Sequence, residues 1–296
     1  MTKPHGVAVG YDGSDFAMQA LDWAMDEAEL RRLPLTVAHA WQWPYGSAAS
    51  GAKEHLRKAA WHVLEHGVRR VRESSSIGEV RAELREGPAA ELLIELSGRA
   101  ELVVVGSRGL GRVATTLLGS VAVQVAGEAD CPVVVVRGPG PLPGGAHRGP
   151  VVLALGEEPH DEQFAFAFGE AELRQVPLLV VHARTPALMA WGPAMAPVPD
   201  VEATVRAGER AMAERLAPWR EAHAGVRVET RFSACPPVEA VRSAAGTASL
   251  LVVGHGPGRL GGVPKAALRH APCPVAVVGK APIMAAGGRP DTRTRI

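Results

Sequence analysis

Directly after the apolar run Leu102–Val105, the chain reads Gly106-Ser-Arg-Gly109-Leu-Gly-Arg-Val-Ala-Thr-Thr-Leu-Leu-Gly119-Ser120: Gly, two residues, Gly, nine residues, Gly-Ser. Glycines at 106 and 109 let a backbone turn sharply and approach an anion with no Cβ in the way. Gly119 and Ser120 then open a helical pattern, where unpaired N–H groups and the positive end of the helix dipole can hold phosphate oxygens. Arg108 and Arg112 add positive charge between them. A second constellation, Gly10-Tyr11-Asp12-Gly13-Ser14, supplies a carboxylate suited to a ribose hydroxyl or a magnesium ion. Ser14 doubles as the cap of the helix that follows.

These groups need a scaffold that brings them together, and the rest of the sequence describes one. Val7–Tyr11, Leu35–His39, Val80–Leu84, Leu102–Val105 and Val133–Val136 read as strands, and helical patterns fit near Ser14–Arg32, Lys53–Glu73, Pro88–Gly98 and Ser120–Glu128. Near-continuous valine runs suit parallel strands buried on both faces, and β-α alternation makes the crossovers parallel. In such open sheets ligands sit beyond the carboxyl ends of the strands, where the topology switches direction. Residue 12 and the segment from residue 106 fall at that place, with His39-Ala40 at the end of strand two able to line a base pocket.

The pattern occurs twice. Glu29-Leu-Arg-Arg-Leu-Pro-Leu-Thr-Val-Ala-His-Ala40 matches Glu172-Leu-Arg-Gln-Val-Pro-Leu-Leu-Val-Val-His-Ala183 at an offset of 143 residues. Leu102–Gly106 matches Leu250–Gly254, and Ala129–Val136 matches Ala271–Val278, in the same order. A chain of 296 residues has room for two ordinary cores. The expected organisation is a first domain over 1–137, a Gly/Pro-rich linker over 138–149, a second domain over 150–280 and a disordered tail over 281–296. The fold class is α/β, with two repeated doubly wound five-stranded parallel-sheet domains. Phe164–Phe168 alternates like a strand, but its place in the repeat makes it helical.

The second copy departs from the first where the chemistry is. Six residues separate Gly254 from Gly261, where twelve separate Gly106 from Gly119, and the Asp-Gly-Ser triplet gives way to Gly156-Glu-Glu158. Those glutamates repel phosphate. One intact site and one degenerate site are expected.

Bulk properties narrow the class further. With 47% hydrophobic and 21% charged residues and a net charge of +1, the chain has no collective pull toward nucleic acid or membrane. The opening Met1–Gly6 lacks a charged-then-apolar leader, and no run reaches the roughly 18 apolar residues of a membrane span, so a cytoplasmic location is expected. The three cysteines, Cys131, Cys235 and Cys273, form no C-x-x-C pair; Cys131 and Cys273 enter matching valine strands and read as buried. His39 and His182, at matching strand ends, read as packing or backbone-bonding residues, and Trp41–Tyr45 reads as loop packing outside the site.

The Gly-x2-Gly-x9-Gly-Ser segment after a valine strand, together with Asp-Gly-Ser after strand one, resembles the ATP-binding subgroup of the universal stress protein family, whose fold is of the adenine nucleotide alpha hydrolase type. The resemblance covers both halves. It implies that Gly10, Tyr11 and Asp12 meet ribose and adenine, with Ala40 near the base. It also implies that Gly106, Arg108 and Gly109 cradle the α and β phosphates, that Gly119, Ser120 and Val121 hold the terminal ones, and that Mg accompanies ATP through Asp12. The function implied is a nucleotide-dependent regulatory or stress-response protein with ATP in the first domain, acting on an unknown protein partner. The two last strands are expected to pair internally as a pseudo-dimer, with a homodimer possible beyond it. The alternative is a slow ATPase or nucleotide-dependent transferase; neither a Walker Gly-Lys-Ser/Thr nor a kinase-like base is present. A dinucleotide carrier is disfavoured because Gly-x-Gly-x-x-Gly does not follow strand one.

Overall fold

The architecture follows from where the apolar runs go. In a computed structural model, which describes residues 6–43, 50–109, 118–137, 149–156, 159–183, 201–233, 235–256 and 260–279, each half forms five strands and four helices among those residues. The first half runs β1 (Val7–Gly10), α1 (Asp15–Arg31), β2 (Leu35–Trp41), α2 (Ser50–Ser74), β3 (Val80–Glu86), α3 (Ala89–Ser97), β4 (Leu102–Gly106), α4 (Ser120–Glu128) and β5 (Val133–Val136). The second repeats it with β6 (Val151–Leu155), α5 (Asp161–Arg174), β7 (Leu178–Ala183), α6 (Val201–Ala222), β8 (Val228–Ser233), α7 (Pro237–Ala245), β9 (Leu250–His255), α8 (Gly262–His270) and β10 (Val275–Gly279). Phe164–Phe168 lies inside α5, as the repeat requires. The linker at 138–148, the tail from 280, Arg112, Glu157 and Glu158 lie outside the described residues.

Within each half all pairings are parallel, in the order β3-β2-β1-β4-β5 and its counterpart β8-β7-β6-β9-β10. The two halves join edge to edge: β5 pairs antiparallel with β10, Val135 opposite Val275 and Val133 opposite Val277, giving one ten-stranded sheet. The last strands thus cover each other. The outer edges, β3 and β8, carry alternating Arg and Glu, which blunts further edge pairing.

Two apolar layers run the length of this sheet. One packs α1, α2, α5 and α6 against one face through Trp23, Leu64, Phe164 and Leu216; the other packs α3, α4, α7 and α8 against the opposite face through Leu93, Val125, Val241 and Leu268. The valines of β4 and β5 are buried throughout, which explains why these strands read as unbroken apolar runs. Cys273 is buried and Cys131 half-buried, and burial pushes both thiols up to about 12.

The halves also meet through charge. Glu27 of α1 and Glu170 of α5, both 0% exposed, face each other across the boundary with Arg31 and Arg174 one turn further along the same helices. Each guanidinium donates to both carboxylates: Arg31 to Glu27 and Glu170, Arg174 to Glu170 at 2.9 Å and to Glu27. The positions repeat at the 143-residue offset, so the ring has the pseudo-twofold symmetry of the fold. Arg174 lies over the Trp23 ring and Arg31 over the Phe166 ring, again each on the other half.

Candidate functional site

The first domain carries a crevice of 660 Å³ at the carboxyl ends of β1 and β4, the switch point of its strand order. All ten residues singled out from the sequence border it: Gly10, Tyr11, Asp12, Ala40, Gly106, Arg108, Gly109, Gly119, Ser120 and Val121. Its volume falls in the range of small-molecule pockets.

One end is shaped for an anion. β4 ends at Gly106, and a Cβ there would lie 2.7 Å from the carbonyl oxygen of Phe16 in the first turn of α1. The Ser107 N–H then donates to the Val136 carbonyl at 2.8 Å, and the Ser107 carbonyl accepts from the Gly119 N–H at 2.8 Å. These bonds fold the start of the loop back over the sheet and set α4 with its N-terminus facing the crevice. Gly119 is the cap residue of α4 and has no side chain with which to cap it, so among the described residues its first-turn N–H groups remain available to a ligand. Arg108 borders the same end, its guanidinium 5.3 Å from the Phe16 ring.

Asp12 is held by the residues that follow it. One carboxylate oxygen accepts from the Ser14 N–H at 3.0 Å and from the Ser14 hydroxyl at 2.6 Å, while that hydroxyl accepts from Ala17 N–H at 3.2 Å as the cap of α1. The other oxygen leans on Gly109, where a Cβ would sit only 2.3 Å away. The two glycines therefore have separate reasons: Gly106 for close backbone approach, Gly109 for the aspartate.

Tyr11 takes a different part from its neighbours. Its ring is 2% exposed and turned under α2, with its hydroxyl 2.8 Å from His66 Nδ1 and Gly67 pressed against the ring edge. The backbone of Tyr11 is what borders the crevice, and its carbonyl accepts from His39 Nδ1–H at 2.8 Å. His39 thus makes the backbone bond expected of it while also bordering the crevice. Trp41 is buried away from it, beneath Lys53.

Much of the remaining lining is an apolar wall that motif reading missed: Ala38 of β2 and Ala89, Leu92 and Leu93 of α3, with Ala17 of α1 and Leu118 next to Phe16 and Gly119. Such a wall suits the face of a planar heterocycle. Its only sequence signal is position, since α3 and α4 pack on the same side of the sheet and their first turns flank the switch point.

The second domain repeats the frame with bulkier side chains at the matching place. α5 begins one turn later than α1 relative to the repeat, and the side chains of His160 and Gln163 take that place against Gly254, the counterpart of Gly106. A Cβ on Gly254 would meet Gln163 Oε1 at 2.0 Å and His160 Nε2 at 2.8 Å. At the 143-residue offset these two positions are Ala17 and Ala20 in the first domain. Both side chains are buried, His160 with its Nδ1 2.9 Å from the Glu162 carboxylate. Bulk on α5 joins the shortened loop in setting the two ends of the molecule apart.

Comparison with known proteins agrees with this frame. The sequence profile of the "Universal stress protein family" matches residues 5–137 and 148–279. A universal stress protein of Mycolicibacterium smegmatis is 33% identical over 296 residues, covering 93% of this chain and 97% of that one. One of Mycobacterium tuberculosis is 32% identical over 295 residues, covering 94% and 99%. In fold, a universal stress protein from Archaeoglobus fulgidus is similar with a TM-score of 0.68 at 18% identity, over 93% of this chain and 98% of that one. With both halves matched and the duplicated α/β frame in place, the chain belongs to the universal stress protein family, as a member with two such domains in tandem.

Proposed function

We propose that the first domain binds ATP, one molecule per chain, and that the protein acts as a nucleotide-dependent regulator rather than through turnover. The observation that carries this reading is the convergence of an apolar wall, the N-terminus of α4 and Arg108 around one crevice. Adenine lies between the alanines of β2 and the leucines of α3, the ribose beside Asp12, and the phosphates over Gly106, Gly109 and the first turn of α4. Magnesium fits as a companion of the phosphates: among the described residues no three His, Cys, Asp or Glu side chains gather to hold a metal unaided, and Asp12 supplies one carboxylate. The bulkier side chains of His160 and Gln163 beside Gly254 and the short loop leave the second domain as the half that pairs and presents surface. Bound ATP then favours one arrangement of the first domain's loop and changes what that surface meets.

The test is to denature the purified protein and identify the nucleotide released. One adenine nucleotide per chain, or one bound on adding ATP with magnesium, supports the reading; two per chain, or none, overturns it. A second variant checks the assignment of Tyr11. Tyr11→Phe removes the hydroxyl that meets His66 and leaves the backbone in place, so it should cost about 1 kcal/mol in urea unfolding and leave ATP affinity unchanged by calorimetry.

A further inference from the structure

The joint between the halves has two parts that carry different amounts of information. One is the ladder of β5 with β10, in which Val133, Val134 and Val135 stand opposite Val277, Ala276 and Val275. Its bonds run between backbone groups, and its side chains are small and apolar on both strands, so nothing in it distinguishes β10 from a second copy of β5 or from another valine edge. The other part lies on one face of the sheet, where α1, resting on β5, meets α5, resting on β10. There each half presents the same side-chain types at helical spacing: Trp23-x3-Glu27-x3-Arg31 and Phe166-x3-Glu170-x3-Arg174. Each arginine pairs with the glutamate of its own helix, reaches across to the glutamate of the other, and lies over the other half's aromatic ring. The surface is self-complementary in the manner of an isologous dimer, glutamate of each half to arginine of the other.

We propose that this ring is the element by which one half chooses another: it admits to the valine edge a domain whose helix carries aromatic-x3-Glu-x3-Arg, and it turns away edges that lack that pattern. Both carboxylates are 0% exposed. A neighbour docked through a valine strand alone would leave them buried short of their charged partners, which is strongly unfavourable, and a neighbour with like charges at these positions would be worse. Selectivity thus comes from what the ring rejects as much as from what it binds. The partner it fits is a second half of this same kind. In the intact chain the chain itself supplies that half, and the short path between the halves favours this closure. When two copies meet with their halves apart, exchange between the copies satisfies the same ring and the same ladder, and changes only which chain supplies each half.

The experiment reverses the charges of one half while keeping its internal pair, in the full chain: Glu27→Arg with Arg31→Glu in the first half, Glu170→Arg with Arg174→Glu in the second, and all four together. With one half reversed, positions 27 and 174 carry the same sign, as do positions 31 and 170. Each single-half reversal is expected to lose roughly a hundredfold or more in the ratio of folded to unfolded chain by urea unfolding. The fourfold reversal makes the cross pairs opposite again and should recover about tenfold or more of that loss, short of the wild type because no guanidinium then lies over Trp23 or Phe166. The two single-half reversals are next mixed in urea and diluted together. Reversed half then finds reversed half and native half finds native half only in a dimer holding one chain of each kind, which native mass spectrometry identifies by its mass and which neither variant forms alone. If both single-half reversals fail to fold by themselves, the mixture still decides, since the mixed dimer contains no mismatched ring. Single-half reversals as stable as the wild type, a fourfold reversal no more stable than either, or a mixture without the mixed dimer would each overturn the proposal and leave the ring as a stabilising contact with no part in the choice of partner.

Discussion

Alanine at position 106 is expected to abolish ATP binding at the concentrations where the wild type is saturated, a loss of roughly a hundredfold or more. The added methyl would sit 2.7 Å from the Phe16 carbonyl oxygen, 2.8 Å from its carbonyl carbon and 3.1 Å from the Arg108 carbonyl oxygen. All three are backbone atoms. Phe16 belongs to the first turn of α1, held by the Ser14 cap, and β4 is clamped between β1 and β5, so neither side can retreat without moving a whole element. Overpacking of this kind costs about 1–3 kcal/mol, and here it displaces the part of the crevice that must meet phosphate. Gly109→Ala should rank second, because among the described residues its Cβ meets the Asp12 carboxylate, a side-chain end, although turning that group away breaks its two bonds to Ser14. Gly119→Ala should fold normally and lose little, since its Cβ would find 3.4 Å of room and its φ of −75° suits any residue. Calorimetry on the three variants, with urea unfolding alongside, checks the order. Three equal losses would mean that the glycines serve flexibility in common rather than distinct close approaches.

The three positions look alike in the sequence, and their difference shows how far a sequence can be read. Residues restricted by chemistry were legible: the glycines, Asp12, Ser14 and Arg108 all border the predicted crevice or cap its helix, because few other residue types serve there. The apolar wall was not, since Ala38, Ala89, Leu92 and Leu93 are what any buried strand or helix contains, and only the chain path distinguishes a wall from a core. Tyr11 borders the crevice as expected, but which way its ring turns was not legible: it lies on the α2 side, where Gly67 and His66 receive it. In the second half the loop deletion was visible by counting, while the filling by His160 and Gln163 depended on α5 starting one turn late. The ends of elements drifted by one to three residues: α2 begins at Ser50 rather than Lys53, and β2 and β3 continue to Trp41 and Glu86 because they pair with each other to that length.

The charged ring between the domains was hidden for a different reason, and it leads to the second large effect. Glu-x3-Arg at helical spacing reads as an ordinary surface pair worth a few tenths of a kcal/mol. Pairing β5 with β10 turns two such pairs into one closed network without solvent at either carboxylate. Removing one member leaves charge buried without its counterpart, which typically costs about 3–5 kcal/mol. Arg174→Met should reach that range, because it leaves Glu27 and Glu170 with a single guanidinium and uncovers Trp23. Glu170→Gln should cost less. Burial, and then the Glu27 carboxylate beside it, push Glu170 up to about 7 against the pull of the two arginines, so the amide imitates a form that the native chain already populates near neutrality.

The same shift sets a sign for the pH dependence. In the unfolded chain a glutamate releases its proton near pH ~4.3, whereas the folded ring keeps it to about pH 7. The folded state therefore holds the extra proton between those values, and the stabilisation it brings is complete below the lower one and lost as pH rises through the upper. Unfolding free energy should fall between about pH 4.3 and pH 7, with a slope of up to about 1.4 kcal/mol per pH unit from this site, and level off above that. Urea melts of the wild type and of Glu170→Gln across that interval make the comparison, with the slope expected to flatten in the variant because it has no carboxyl at position 170 to titrate. An undiminished slope in Glu170→Gln would place the titrating group outside the ring and leave the four charges as a fixed, fully ionised lock between the two domains.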